Sequence, residues 1–249
     1  MSKLRPSGGY RQTASFQTAT IIYDATYWFC ERFLDSRSRT VDQMVQAARS
    51  GRQNIAEGSR AAAASSQTEL RLMNVARASL EELLLDYEDY LRHRRLPLWD
   101  PRSGEASAVR AVPRVFRRDR SDRSDLTDLS DQERYALYVR WLDHEDPAVR
   151  ANAIICLIHQ ANYLLDRQIA ALEAAFIEGG GYSEQLATER LKKRERDRAV
   201  QTAPTGQKAP DCPQCSSLMA LRTAKSGKNA GSQFWGCVSY PDCKGTAPL

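Results

Sequence analysis

CPQC at residues 212–215 and FWGCVSYPDC at residues 234–243 set four cysteines among Pro, Phe, Trp and Tyr in an otherwise charged, helix-prone chain of 249 residues. The spacing is C-x2-C, twenty-one residues, then C-x5-C, so that Cys212 with Cys215 and Cys237 with Cys243 make two close pairs. A structural zinc site takes four soft sulfur ligands in a tetrahedron, and two short knuckles giving two ligands each supply it. Pro213 fixes a turn inside the first pair, and Pro241 with Gly245 frames the second. Size argues the same way. A segment of fewer than ~40 residues needs a staple beyond its apolar core. In a reducing compartment that staple is zinc, which contributes roughly 10–16 kcal/mol of folding free energy in comparable peptides. One Zn2+ per chain is the expectation, and a disulfide pair or a redox C-x-x-C is the alternative.

Elsewhere the residues offer little chemistry. Cys30 and Cys156 stand alone in apolar stretches and read as small buried hydrophobes. His93, His144 and His159 lie apart without ligand spacing, and neither a phosphate-cradling glycine loop nor paired carboxylates at a fixed spacing occur. Asn54 and Glu57, three apart near the end of a helical stretch, read as a polar pair for hydrogen bonding to a neighbouring helix or subunit. No catalytic residue is assigned. The expectation is a non-enzyme with no small-molecule substrate.

The elements that must carry the cysteines are mostly helical. Hydrophobic residues make up 42% and charged residues 27%, with aromatics only 8%, and Ala, Leu, Glu and Arg dominate long stretches. Apolar residues recur at three-to-four spacing from about Ser15 to Leu34 (Phe16, Ala19, Ile22 or Tyr23, Thr26, Phe29 or Cys30, Phe33). A capping box at Thr40 and Gln43 opens a second helix with Val41, Met44, Val45, Ala48 and Ile55 on one face, ended by Gly58. Ser66 and Glu69 open a third, with Met73, Ala76, Leu80, Leu83, Leu84, Tyr87 and Leu91 as its seam and Pro97 beyond it. Asp146 caps a fourth that starts on Pro147, buries Ile154, Leu157, Ile158, Ala161, Leu164, Leu165, Ile169, Leu172 and Phe176, and stops at Gly179–Gly181.

Four such helices bury their apolar faces most simply as an antiparallel four-helix bundle. The fold class is therefore mainly α, with a small C-terminal β zinc ribbon built from LMALRTA and SQFWGCV. The organisation expected is a disordered segment 1–14, a bundle over 15–181, a basic helical extension at 182–200, a linker at 201–210 and the ribbon at 211–249. Between the third and fourth helices, 95–146 reads as a long, partly disordered insertion with a short helix near 131–143, begun by Ser130 and Glu133. Six arginines fall between Arg110 and Arg123. They could touch phosphate, but interleaved aspartates favour a solvated, self-compensating linker. No apolar run is long enough for a signal peptide or a bilayer span, so the expectation is a cytoplasmic protein without membrane contact. A net charge of +5 is too small to argue for nucleic acid by itself, and local clustering must do so.

Two stretches carry resemblances. QAARSGRQNIAEGSRAAAASSQTELRLMNVARASLEEL resembles the four-helix-bundle proteins encoded in intervening sequences of large-subunit ribosomal RNA genes, which are similar to the accessory variability determinants of diversity-generating retroelements. The likeness runs from Ser15 to about Leu91 and extends loosely to the fourth helix, while the insertion at 95–146 departs from that family. It implies a ring-like homo-oligomer, a pentamer in that family, with a basic surface and no catalytic residues; Asn54 and Glu57 fall on its motif. CPQC with L-x-x-R, then FWGC-x-x-YP-x-C-K-G, resembles the C-terminal zinc fingers of type IA DNA topoisomerases over Cys212 to Thr246. Ser216 stands where that family commonly has Gly. The topoisomerase catalytic domain has no counterpart here.

The finger resemblance implies DNA binding, preferably of single strands, with RNA left open. Arg222, Lys225, Lys228 and Lys244 suit phosphate, and Phe234, Trp235 and Tyr240 offer rings on which bases could stack, Trp235 foremost. The same aromatics could instead form the ribbon's core. The leading expectation is an oligomeric nucleic-acid-binding protein, its bundle multiplying the ribbon. The alternative is a protein-interaction scaffold that recruits a reverse transcriptase or a ribosomal component.

Overall fold

The computed structural model describes residues 8–119, 126–180, 182–201, 209–224 and 230–248. The chain separates into two units, Met1–Gly181 and Tyr182–Leu249. Among its described residues the first unit has helices and no strand. Its long elements are α1 (Ala14–Phe33), α2 (Arg39–Ala61), α3 (Ser66–His93) and α7 (Pro147–Gly179); between α3 and α7 come α4 (Gly104–Asp119), α5 (Asp131–Ala136) and α6 (Val139–Leu142). Each long helix packs on two others: α2 lies against α1 and α3, and α7 against α3 and α1.

The apolar stripes become one core. Ala19, Ile22 and Phe29 of α1, Met44, Ala48 and Ile55 of α2, the α3 seam from Met73 to Leu91, and Ile154, Leu157, Ile158, Ala161 and Leu165 of α7 are all buried. Only the far end of the α7 stripe runs out of cover, at Phe176. Cys30 and Cys156 lie in this core, and burial pushes the Cys30 thiol up to about 12 and raises that of Cys156, which keeps both protonated.

Glycine decides how closely α2 approaches α3. A Cβ on Gly51 would stand 2.7 Å from Leu80 Cδ2, and one on Gly58 would stand 3.1 Å from Met73 Cε and 3.3 Å from the Glu69 carbonyl oxygen. Gly58 therefore serves packing rather than termination, and α2 continues to Ala61. The caps also shift slightly. Ser38 accepts from the Thr40 amide and Ser65 from the Thr68 amide, one or two residues ahead of the capping boxes expected at Thr40 and Ser66. Asp146, Pro147 and Gly180 bound α7, and Ser130 with Glu133 forms the full reciprocal box of α5, both as the sequence indicated.

Three expectations need correction. Residues 8–13, within the segment expected to be disordered, form a 3-10 turn whose Tyr10 is buried edge-on against Phe16, and Gln17 holds the turn by donating to the Arg11 carbonyl at 2.8 Å. The insertion is largely structured among the described residues. α4 packs on α7 through buried Ala106 and Val109, apolar positions three apart that the surrounding arginines mask in a charge-based reading. The single helix expected near 131–143 breaks at Leu137 and Tyr138 into α5 and α6, which lets Tyr138, Trp141 and Leu142 all face the core.

Asn152 pins this connection to α7. It is 1% exposed, accepts from the Trp99 amide at 2.7 Å and donates to the carbonyls of Pro97 at 2.9 Å and Ala148 at 2.8 Å. Asn152→Ala strands a buried amide and carbonyl. We expect it to cost about 2 kcal/mol and to lower the melting temperature by about 4–8 °C, measured by thermal unfolding of the full chain.

The second unit holds α8 (Tyr182–Gln201) and a three-stranded antiparallel sheet, β1 (Met219–Thr223), β2 (Gln233–Cys237) and β3 (Thr246–Ala247), in the order β1-β2-β3. The basic extension expected at 182–200 is thus a helix whose residues group with the sheet, where α8 lies against β1. Of the expected linker at 201–210, residues 202–208 lie outside those described, while Ala209 packs on the ribbon and the Pro210 carbonyl accepts from the Met219 amide at 3.1 Å. Among the described residues no helix is long and apolar enough to cross a membrane.

Candidate metal centre and nucleic-acid interface

The two cysteine pairs meet at one end of the sheet. Cys212 sits on a turn closed by Cys212 N–H to the Ser217 carbonyl at 2.7 Å and Ser216 N–H to the Cys212 carbonyl at 2.9 Å. This turn requires a left-handed residue, and Ser216 supplies it at φ 57. A glycine takes that conformation freely, which explains why glycine is the common choice there. The second knuckle follows β2: Cys237 N–H donates to the Gly245 carbonyl at 2.9 Å and Cys243 N–H to the Ser239 carbonyl at 3.0 Å.

All four sulfurs lie within 4.8 Å of one another, with Cys212 to Cys243 at 3.7 Å and Cys215 to Cys237 at 3.4 Å. A tetrahedron of sulfurs about 2.3 Å from a central zinc has edges of about 3.8 Å. The spacing fits that ion and excludes a disulfide in either pair, whose sulfurs would be bonded at about 2.05 Å. The charge of the ion is also what the donors need. Hydrogen bonds from the Ser217 side chain and then its backbone hold the Cys215 thiol down at about 6. Cys243 goes the other way: the Gly245 amide lowers its pKa, but the Cys215 sulfur, desolvation and the sulfurs of Cys212 and Cys237 together outweigh this and push it up to about 12. Four sulfurs this close cannot all ionise without a cation among them. Zinc supplies it, and Cys212, Cys215, Cys237 and Cys243 are its ligands, one ion per chain.

Gly245 leaves room for this packing. A Cβ there would stand 2.2 Å from Cys212 Sγ and 3.5 Å from Cys243 Sγ. Gly245→Ala must displace a ligand, and we expect zinc affinity to fall at least about tenfold, as read by competition against a chromophoric chelator.

Strand register sorts the three aromatics. Met219 pairs with Cys237 and Leu221 with Trp235, so Trp235 shares the face of a zinc ligand; it is 3% exposed and packs with Cys212, Met219 and Cys237. Trp235, expected foremost as a stacking platform, is a core residue here. Arg222 pairs with Phe234 and Ala220 with Gly236 on the opposite face. The Arg222 stem crosses Gly236, where a Cβ would meet its Cδ at 2.8 Å, and its guanidinium reaches the Cys237 carbonyl at 3.4 Å and lies 5.9 Å from the Tyr240 ring centroid. Tyr240 is 61% exposed. Phe234 is half-buried beside Arg222, and Lys244 is exposed.

Residues 209–249 match the family model of the topoisomerase DNA binding C4 zinc finger. The match spans the whole ribbon, from Ala209 at its core through all four ligands of this C4 finger. Neither the curated proteins nor the solved structures contain a match to the chain.

The remaining sequence-based sites fall apart from the finger. Lys225 and Lys228 lie outside the described residues. Asn54 donates to the Ser50 carbonyl of its own helix at 2.9 Å rather than to a neighbour, and Glu57 is exposed. Sequence reasoning missed β3, whose two residues carry no periodicity, although it covers Trp235 through the Trp235–Ala247 pair. It also missed Ser217 and Ser239, the hydrogen-bonding partners of Cys215 and Cys237; the Ser239 amide lies 3.4 Å from Cys237 Sγ.

Proposed function

We propose that this chain is a non-enzymatic nucleic-acid-binding protein whose C4 finger grips single-stranded DNA, or RNA, with the outer face of its sheet. The observation that carries this is the pairing of exposed Tyr240 with the Arg222 guanidinium on a ribbon that matches a DNA-binding finger. Tyr240 and Phe234 offer rings to bases, and Arg222 and Lys244, with Lys225 and Lys228, offer cations to phosphates. A zinc tetrathiolate carries two negative charges, and Arg222 lies on the sheet face opposite Trp235 and the ligand Cys237.

In the same reading the first unit is an antiparallel four-helix bundle of the intervening-sequence type that assembles the chain into a homo-oligomer, a pentamer as the resemblance implies. Its supports are the mutual packing of α1, α2, α3 and α7 and the exposure of Tyr27, Leu85, Tyr163 and Ile177 on its outside. Several fingers on one assembly would raise avidity without new contacts.

The test is retention of a labelled single-stranded oligonucleotide by the zinc-loaded chain across a salt series, with native mass measured in parallel. We expect a salt slope of about −0.7 per phosphate contact, weakened by Arg222→Ala and Tyr240→Ala. No retention at low salt sinks the reading. A second reading, a scaffold that recruits a reverse transcriptase or a ribosomal component, is favoured by one feature, an open groove lined by Tyr27, Val41, Val45 and Leu85.

A further inference from the structure

We propose that Cys215 is a modification site, the metal ligand most open to attack by a hydroperoxide, and that its oxidation closes a disulfide with Cys237 and releases the ion. Bound zinc keeps every coordinating thiol deprotonated, so charge does not set the four sulfurs apart and access does. Cys212 and Cys237 are each 2% exposed. Gly245 packs so closely on Cys212 that a Cβ there would stand 2.2 Å from its Sγ, and Cys237 lies on the Trp235 face of the sheet with the Ser239 amide 3.4 Å from its Sγ. Cys243 is half-buried, and Gln214 Oε1 lies 3.6 Å from its Sγ. Cys215 is exposed, and so are its chain neighbours Gln214 and Ser216.

The first knuckle creates this difference within one C-x-x-C. Its turn, closed through left-handed Ser216, packs Cys212 inward with Met219 and Trp235 and leaves Cys215 on the outside. An accessible thiolate beside a second thiol is the arrangement in which a first oxidation is captured as a disulfide rather than carried on to a sulfinic acid. Here the second thiol belongs to the other knuckle. Cys237 Sγ is 3.4 Å from Cys215 Sγ, closer than the 3.7 Å between Cys212 and Cys243. Closing that gap to a bond of about 2.05 Å takes a movement of about 1.4 Å, and Cys215, with its exposed side chain, is the partner free to make it.

The chemistry balances with hydrogen peroxide as oxidant. The Cys215 thiolate attacks one peroxide oxygen; an S–O bond forms, the O–O bond breaks, and its electron pair leaves on hydroxide. The Cys237 thiolate then attacks the Cys215 sulfur; the S–S bond forms, the S–O bond breaks, and a second hydroxide leaves. Two thiolates lose two electrons, the peroxide gains them, and solvent protonates both hydroxides. Cys212 and Cys243 remain as half of the ligand set, too few to hold the ion. A small thiol reverses the change by exchange at the disulfide. Cys30 and Cys156 serve as internal controls, since both are buried in the helical core away from oxidant. On the reading of the finger as a nucleic-acid grip, the oxidised chain loses single-strand retention. Zinc release and the identity of the disulfide do not depend on that reading.

The test treats the full zinc-loaded chain with hydrogen peroxide, follows released zinc with a chromophoric chelator, and maps disulfides by mass spectrometry of the unreduced digest. We expect zinc to leave in step with a Cys215–Cys237 crosslink, Cys30 and Cys156 to stay reduced, and dithiothreitol with added zinc to restore the starting state. A limiting dose of N-ethylmaleimide should label Cys215 before the other three ligands. Cys215→His keeps a four-ligand zinc set, and its zinc release by peroxide should slow at least about tenfold. A first crosslink between Cys212 and Cys215 or between Cys212 and Cys243, or first labelling at another ligand, overturns the proposal. So does a zinc-loaded His variant that releases zinc as fast as the parent. If the His variant fails to load zinc, the mapping and labelling on the parent chain decide. Lost zinc and a mapped Cys215–Cys237 bond with single-strand retention unchanged would uphold this site and sink the finger reading instead.

Discussion

Stripping zinc with a strong chelator is expected to unfold the ribbon and abolish its share of nucleic-acid retention, while the helical circular dichroism of the chain persists. The ribbon's buried core consists of Cys212, Met219, Trp235 and Cys237, so two of its four members are themselves metal ligands. Without the ion, packing of this size cannot offset the conformational entropy of the segment. The zinc contribution, of order 10–16 kcal/mol in small fingers, makes up what that core lacks. Loss of the metal also leaves sulfurs as close as 3.4 Å with nothing to hold their charge. The helical core from Ala19 to Ile169 contains no ligand and is expected to be indifferent. Amide hydrogen exchange localises the effect: residues 233–237 should lose protection and those of α3 should keep it. Protection of β2 in the fully chelated protein would show that the ribbon folds without metal.

The metal site could be read from the sequence because it depends on ligand type and spacing, both local. Cys212, Cys215, Cys237 and Cys243 were found without knowing where any strand lay. The long helices were legible for a similar reason, since each carries its own apolar stripe. Their caps were blurred by a residue or two because Ser38 and Ser65 compete with equally plausible neighbours at Thr40 and Ser66. Glycine was misjudged where its role is tertiary: Gly58 reads as a helix stop, yet its missing Cβ matters to Met73 on another helix. α4 was hidden because only two of its residues are fully buried and charge dominates the rest. The aromatics were partly decidable. Trp235 is two residues from the ligand Cys237, hence on the same side of a strand, whereas Phe234 is three away and on the other. Alternation alone assigns Trp235 to the metal side, but Tyr240 lies beyond the strand, and only the folded knuckle brings it to Arg222.

That division of labour gives the second large effect. Trp235→Ala is expected to cost about 3–5 kcal/mol, since it empties the largest buried side chain of a four-residue core and uncovers the Cys237 strand beside the metal. Zinc affinity should fall with it, and excess zinc should restore part of the fold by mass action. Tyr240→Ala is expected to change stability by no more than about 0.5 kcal/mol, as for an exposed side chain. Its cost should appear instead in oligonucleotide affinity, at about 1–3 kcal/mol for a lost base stack. The informative measurement is the pair, each variant scored for zinc affinity by chelator competition and for single-strand binding at fixed zinc saturation. If Trp235→Ala keeps full zinc affinity but loses binding, the indole is a contact residue and the outer face is not the interface. If Tyr240→Ala binds like the parent, the ribbon holds its partner through charge alone, and the Arg222 guanidinium beside that ring is there for phosphate without a stacked base.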